Sequence, residues 1–380
     1  MAYSPPTAYA GLSGQVGYGS GLQLVDEVLS TVAKQFRPDG FIYDRIAVSL
    51  PVSYKFGRYP VFNPADFFQT GGALEVADDA PTPIVDFGWS HDVFACVPRR
   101  LQTRITEEEA LQAHPALRLD YSKTIGLLTV FASNREDRLA RKLKAQSNGG
   151  QITNAAITPS VKWDAGTSGS PATIQADIQA SLLTVMKASG RRPNTLILDY
   201  EVALAIANDY TVKQQLQYRI GPEILSDQMA DMLAGRGGVL PPRLFGLNVV
   251  VADGTLQNTA RPGQAMSVGG TWGTSARLVY VPPGAQAQWG IPATAYAFRA
   301  PVSAPAYQPP ATIMPSGDGG AEPGPAGDWA VVDRWWDYDP PGEHIRCRES
   351  VDERLVAPEL GIELSSTLGL GASSGEYASA

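Results

Sequence analysis

The sequence predicts an α+β fold, and three observations carry that prediction. Residues 120–147 hold a long helical period. Residues 190–290 alternate short apolar runs with helical segments. The last third returns in strand-like runs broken by Pro and Gly turns. At 380 residues the chain is long enough for two or three compact units and a large core.

Residues 1–20 are Gly, Ser, Tyr and Pro without periodicity, an arm with no core of its own. Leu24, Val25, Val28, Leu29 and Val32 then fall at helical spacing and predict a short amphipathic helix over 22–36. Residues 41–50 (FIYDRIAVSL) read as a strand ended by Pro51. Residues 52–98 alternate aromatic or aliphatic residues with charges and carry turn signals at Asn63-Pro64 and Gly71-Gly72. They read as an extended hairpin or loop reaching away from the body. A loop this long is normally functional or held by something else.

Glu107-Glu108-Glu109 is a solvated turn or a helix start, where the dipole favours carboxylates. Ile125, Leu128, Phe131, Leu139 and Leu143 mark one broad face of the helix over 120–147. At 1.5 Å per residue it is roughly 40 Å long. Asn148-Gly149-Gly150 stops it. Pro171 opens another helix, with Ile174, Ile178, Leu182 and Met186 four apart, and Gly190 ends it.

Strands follow at 194–198, 245–252, 277–281 and 293–298, with helices at 200–206, 212–218 and 222–233. Residues 301–328 are a Pro-, Gly- and Ala-rich insertion. Residues 329–336 and 343–348 form a hairpin around Pro340-Pro341-Gly342. Residues 358–364 are a final strand before a Gly/Ser/Ala tail.

Composition narrows the function. The chain holds 38 glycines and 30 prolines, above the usual combined share of about 12%. Charged residues are 18%, below the usual ~25%. A sparsely charged surface with long irregular segments fits a protein covered by partners. Net charge is −8 and the pI is near 5.0, which argues against wrapping nucleic acid with its whole surface. No apolar run approaches a membrane span. The N-terminus lacks the basic start and apolar core of a signal peptide. Cys96 and Cys347 lie far apart and need not pair, which suits a reducing compartment.

Chemistry is sparse. His91 lies near Cys96, and His344 three residues before Cys347, but neither has a second ligand pair nearby. Both read as strand histidines, so no metal and no cofactor is expected. The glycines at 17–21 and 235–238 read as loop or cap. No nucleophile, phosphate-loop or metalloprotease motif is present. Arg135, Arg138, Arg141, Lys142 and Lys144 form the one basic cluster, on the C-terminal half of the long helix. It is either a solvated face or a patch turned toward acidic partners or packaged nucleic acid.

The order of elements carries a resemblance. An irregular arm leads to a long hairpin, then a long amphipathic helix. A compact α/β region follows, opened by residues 191–199 (RRPNTLILD). Late strands return with 295–299 (AYAFR) and 343–350 (EHIRCRES). Over essentially its whole length the chain resembles the major capsid proteins of tailed bacteriophages, which share the Hong Kong 97-like fold.

The resemblance implies parts. Residues 1–36 would be the N-terminal arm and 52–98 the extended E-loop. Residues 37–51 and 99–189 would be the peripheral domain, with the spine helix at 120–147. Residues 190–290 would be the axial domain. Residues 291–355 would be returning peripheral strands around the 301–328 insertion, and 356–380 a final strand and tail.

It also implies function. The chain would not be an enzyme but would self-assemble into pentamers and hexamers of an icosahedral shell enclosing the phage genome. Its place would be the virion, after assembly in the host cytoplasm. Expected partners are further copies of itself, a separate scaffolding protein, a portal at one vertex and a decoration protein. Packaged double-stranded DNA would be met by non-specific contact, and no membrane is involved.

Arm and E-loop lie across neighbouring subunits in such proteins. Tyr54, Phe56, Tyr59, Phe62, Phe67 and Phe68 would then anchor on an adjacent subunit, with Lys55 and Arg58 pairing with acidic groups there. The alternative is that these aromatics pack within their own loop. Alternative functions are an encapsulin-like shell on the same fold, or another phage structural protein such as a tube or decoration protein. An α/β enzyme would need a convergent polar pocket within 190–290, and the sequence shows no constellation for one.

Overall fold

The computed structural model describes residues 24–36, 40–62, 89–113, 118–165, 172–212, 214, 240–252, 256–258, 268–282, 292–302, 330–338 and 341–369. The arm at 1–20, the 222–233 helix, residues 303–328 of the insertion and residues 370–380 of the tail lie outside them, as does most of 212–218.

Strand β1 (Leu24–Val25) leads into helix α1 (Glu27–Gln35). Asp26 caps that helix, its carboxylate accepting from the Leu29 N–H at 2.9 Å. The strand expected over 41–50 is instead helix α2 (Tyr43–Ile46) followed by the short strand β2 (Val48–Pro51). The cause is distant in sequence. The backbone N–H groups of Ile42 and Tyr43 both donate to the Glu136 carboxylate at 3.1 Å. With Ile42, Tyr43 and Ile46 all buried, that partner overrides the local β preference.

Strands β3 (Phe56–Phe62) and β4 (Trp89–Ala95) pair antiparallel as the root of the expected hairpin. Cys96 separates them from β5 (Val97–Thr106). Helix α3 (Glu107–Gln112) starts on a capping box between Thr106 and Glu109, so the run of three glutamates is a helix start.

The longest helix is α4 (Leu119–Lys142), with 24 residues. It ends short of Asn148 because the next residues have other partners. Leu143 and Ala145 are fully buried, and the Ala145 N–H donates to Glu363 at 2.7 Å. One 3₁₀ turn over Gln146–Asn148 follows, closed by Gly149 at φ +76°.

Helix α5 (Ile174–Ser189) closes on Gly190. Ile174, Ile178 and Leu182 bury as expected, but Val185 takes the next inward place and Met186 is exposed. At 3.6 residues per turn, a strict spacing of four drifts off the face.

Strand β6 (Thr195–Asp199) runs into helix α6 (Tyr200–Asn208). The strand expected at 245–252 begins two residues late. Phe245 and Gly246, at φ +52° and +78°, make a tight turn between β7 (Arg243–Leu244) and β8 (Leu247–Ala252). Then come β9 (Leu256–Asn258), β10 (Val268–Gly270), β11 (Ala276–Val279), β12 (Ala295–Arg299) and β13 (Ala330–Tyr338). The chain closes with β14 (Pro341–Leu355), a 3₁₀ turn at Pro358–Leu360 and β15 (Ile362–Leu364).

Two larger sheets result. In the first, the order is β1-β13-β14-β12-β2, with β5 also on β14. Strand β14 is much longer than expected because it changes partners along its length. Residues 341–349 pair with β13, 342–351 with β5 and 351–355 with β12. The second sheet has the order β15-β11-β6-β8-β7, with β6 and β8 parallel.

Helices α1 and α4 cover one face of the first sheet through Leu29, Leu128, Phe131, Val332, Ile345 and Cys347. Helices α5 and α6 share a core with the second sheet through Ile178, Val202, Leu196 and Leu278. A third cluster joins the two. It includes Ile42, Leu139, Ile197, Trp272, Ala297 and Val351.

Candidate functional site

The hairpin root has two faces, set by strand alternation. On the inner face Tyr59, Phe94 and Cys96 pack with Tyr296 and Phe298. The Phe94 and Phe298 rings stack at 4.6 Å, and Tyr59 sits 5.2 Å from Phe298. The Tyr59 hydroxyl donates to Asp92 at 2.7 Å. Burial and that carboxylate push the Tyr59 phenol upward, and the same hydrogen bond holds Asp92 below its ordinary range. Tyr59 is only 2% exposed, so this aromatic packs within its own subunit and is not an anchor for a neighbour.

The outer face is different. Tyr54 and Phe56 are 78% and 72% exposed, and Val93 and Val97 also face solvent. Arg58 lies beside them, exposed and directly opposite Val93. Lys55 is half-buried, and its carbonyl accepts from the Cys96 N–H. The side chain of Phe62 and all of Phe67 and Phe68 lie outside the described residues.

Gly57 explains how the two strands meet. A Cβ there would sit 2.6 Å from the Phe94 ring, itself stacked on Phe298. Gly57→Ala should therefore lower stability by about 1–3 kcal/mol through overpacking. Thermal melting checks this, and an unchanged midpoint would show that Phe94 moves freely.

The hairpin is tied to the body through β14. The Ala95 N–H donates to Asp352 at 2.9 Å, and Asp352 also takes Arg354 at 2.8 Å.

The basic cluster of α4 is neither a solvated face nor a nucleic-acid patch as a whole. Arg135, Arg138 and Lys142 fall on the side of the helix that meets β14. Arg138 meets Glu353 in a fork, at 2.7 Å through Nη2 and 3.1 Å through Nε. It also reaches Glu349 at 3.6 Å, as does Arg135. Lys142 lies 3.8 Å from Asp352 and donates to the Glu353 carbonyl. These three cations are thus offset inside the subunit, because β14 presents carboxylates to them. Arg141 is exposed but pairs with Asp137 one turn earlier. Lys144 is half-buried just past the helix.

Burial sets the electrostatics here. Desolvation works against the Arg138 charge, yet Glu353 outweighs it and holds the guanidinium above its ordinary value. Desolvation pushes Glu349 up and Lys142 down.

Glu136, on the same helix, was invisible as a site in the sequence. It is fully buried and takes three donors: Ile42 N, Tyr43 N and, at 2.8 Å, Trp272 Nε1. Burial pushes its carboxyl up to about 7, against the pull of those hydrogen bonds. It links α4 and α2 to the segment before β11.

The described histidines and the two cysteines do not converge on one site. His91 is exposed, and His344 stacks on Trp335 at 5.2 Å. Both thiols are free and buried, and desolvation pushes Cys96 to about 11 and Cys347 to about 12. Among the described residues no three metal-ligating side chains converge.

No family model matches the chain, and no curated protein matches it. Among solved structures it is similar to a phage-related protein of Bordetella bronchiseptica RB50. That match has 17% identity and a TM-score of 0.60, covering 91% of this chain and 98% of the other. It is similar also to the capsid of the cyanophage P-SCSP1u, at 11% identity and a TM-score of 0.49, covering 96% of each chain. A third likeness is to the SrpI encapsulin of Synechococcus elongatus PCC 7942. There the identity is 12% and the TM-score 0.45, covering 99% of this chain and 100% of the other. The α+β, Hong Kong 97-like fold expected from the order of elements stands, as a statement about fold.

Proposed function

We propose that this chain is a shell-forming subunit, the major capsid protein of a tailed phage. One observation carries the reading beyond fold. The hairpin root turns Tyr54 and Phe56 outward, 78% and 72% exposed, while Tyr59 and Phe94 are buried. Paired large aromatics left in water fit a surface completed by another subunit.

In this reading β3, β4 and residues 63–88 are the E-loop and α4 is the spine helix. The first sheet is the peripheral domain and the second the axial domain. Copies form pentamers and hexamers of an icosahedral shell around the genome, with a scaffolding protein, a portal and a decoration protein as partners. The virion is then its location. Of the helix cations, Arg141, paired with Asp137, and Lys144 lie outside the contact with β14 and would be the ones to meet packaged DNA.

Electron microscopy of the purified protein tests the reading. Icosahedral particles or ring-shaped capsomers support it, and a discrete monomer or dimer overturns it. Tyr54→Ser with Phe56→Ser should block particle formation and leave the melting midpoint within a degree or two, since neither side chain is in the core. Normal particles from that variant would remove the hairpin face from the interface.

A further inference from the structure

One short segment touches two buried carboxylates on different parts of the molecule. Residues 270–273 (GTWG) carry the chain out of β10 toward β11. On one side, the Trp272 indole donates to Glu136 of α4 at 2.8 Å. On the other, the Trp272 carbonyl accepts from Arg277 of β11 at 3.2 Å, and that guanidinium lies 5.0 Å over the indole ring. Gly270 rests against Asp199 at the end of β6, so closely that a Cβ there would overlap the carboxylate. The Gly273 N–H donates to Asp199 as well, and Asp199 caps α6 through the Tyr200 N–H at 2.7 Å. Glu136, Asp199, Trp272 and Arg277 are all buried. This strap thus ties the long helix to the middle of the second sheet.

A buried carboxylate without a cation in contact is costly to ionise. Among the described residues neither acid forms an ion pair. The charge that reaches Glu136 is Asp44 of α2, which repels it and is itself held by Arg299 at 2.9 Å. Asp199 faces Glu201 of its own helix, which repels it, and Arg277, which attracts it. Arg277 is shared with Glu363, its partner across β11 and β15, and is bound to the strap. Burial therefore pushes Asp199 up to about 6, as it pushes Glu136 up to about 7. One motion relieves both acids, since lifting the strap lets water reach each of them.

We infer that residues 270–273 are a proton-gated latch between α4 and the second sheet, closed while Glu136 and Asp199 are protonated and released locally when they ionise. The inference does not depend on the shell reading. Its sign follows from linkage. Both acids hold their protons more tightly under the closed strap. Closure is therefore strongest below about pH 4 and weakens as pH rises through about 6 and then about 7.

Hydrogen exchange of the full-length protein, read by mass spectrometry and corrected for the intrinsic effect of pH on exchange, tests the latch. Lifting the strap returns Glu136 from about 7 to 4.5 and Asp199 from about 6 to 3.8. The opening constant of the strap should then rise on the order of several hundredfold between about pH 5 and about pH 8. Glu136→Gln should leave about tenfold of that rise, Asp199→Asn should leave about a hundredfold, and the double variant should be flat. The slope is the readout, because each amide also alters a hydrogen bond and shifts the level at every pH.

Strand β6 and the buried turns of α4 should keep their protection across the same range. Loss of protection there in step with the strap would make the event global unfolding and overturn the latch. A strap whose opening ignores pH, or whose slope survives in the double variant, would overturn it too.

Discussion

Glu353→Ala should cost about 3–5 kcal/mol of folding stability, the penalty for stranding a buried charge. Glu353 is 1% exposed, takes the Arg138 fork and lies 3.5 Å from the Tyr43 hydroxyl. Its removal leaves Arg138 desolvated beside Arg135, with Glu349 as the remaining anion at 3.6 Å. Replacing both partners, Arg138→Met with Glu353→Leu, should recover most of the loss, because no uncompensated charge is then buried. Denaturant unfolding checks both. A loss below about 1 kcal/mol for Glu353→Ala would mean that solvent reaches the pair and screens it.

Glu136 should make stability depend on pH. Its folded-state value, about 7, lies above the ordinary 4.5, so the fold prefers the neutral acid. The sign follows from linkage. The contribution is complete below about pH 4.5 and is lost as pH rises through about 7, about 3 kcal/mol in all. Glu136→Gln keeps one acceptor oxygen and cannot ionise. The stability of the native protein minus that of Glu136→Gln should therefore fall by about 3 kcal/mol between about pH 4 and pH 8. Unfolding curves across that range decide it, and a constant difference would show that Glu136 stays charged. Glu136→Ala should be worse than Gln at every pH. It strands the donors of Ile42, Tyr43 and Trp272, each at about 1–3 kcal/mol.

Much of the fold was legible because it is written in local period. The α4 face at Leu128, Phe131 and Leu139 is buried as spaced, and α5 and β6 fall where the apolar pattern put them, whereas Leu24 and Val25, expected in the first helix, pair with β13 as a strand and leave that helix to start at Glu27. The errors have one physical origin, a partner far away in sequence. Residues 41–50 look like a strand until Glu136 takes their N–H groups. The basic run of α4 looks free until β14 brings Glu349, Asp352 and Glu353 beneath it. The six hairpin aromatics read as one class, yet strand alternation already separates Tyr59 from Phe56.

The change of partners along β14 has a mechanical consequence. Asp352 holds the hairpin backbone at Ala95 and approaches Lys142, and the next residue, Glu353, clamps Arg138 on the same helix. A tug on the hairpin is thus delivered to the middle of the molecule within one peptide unit, without passing through a flexible joint. The strand acts as a stiff yoke, and the long helix as the beam it loads. Softening the yoke at Asp352 would let the hairpin sag at Ala95.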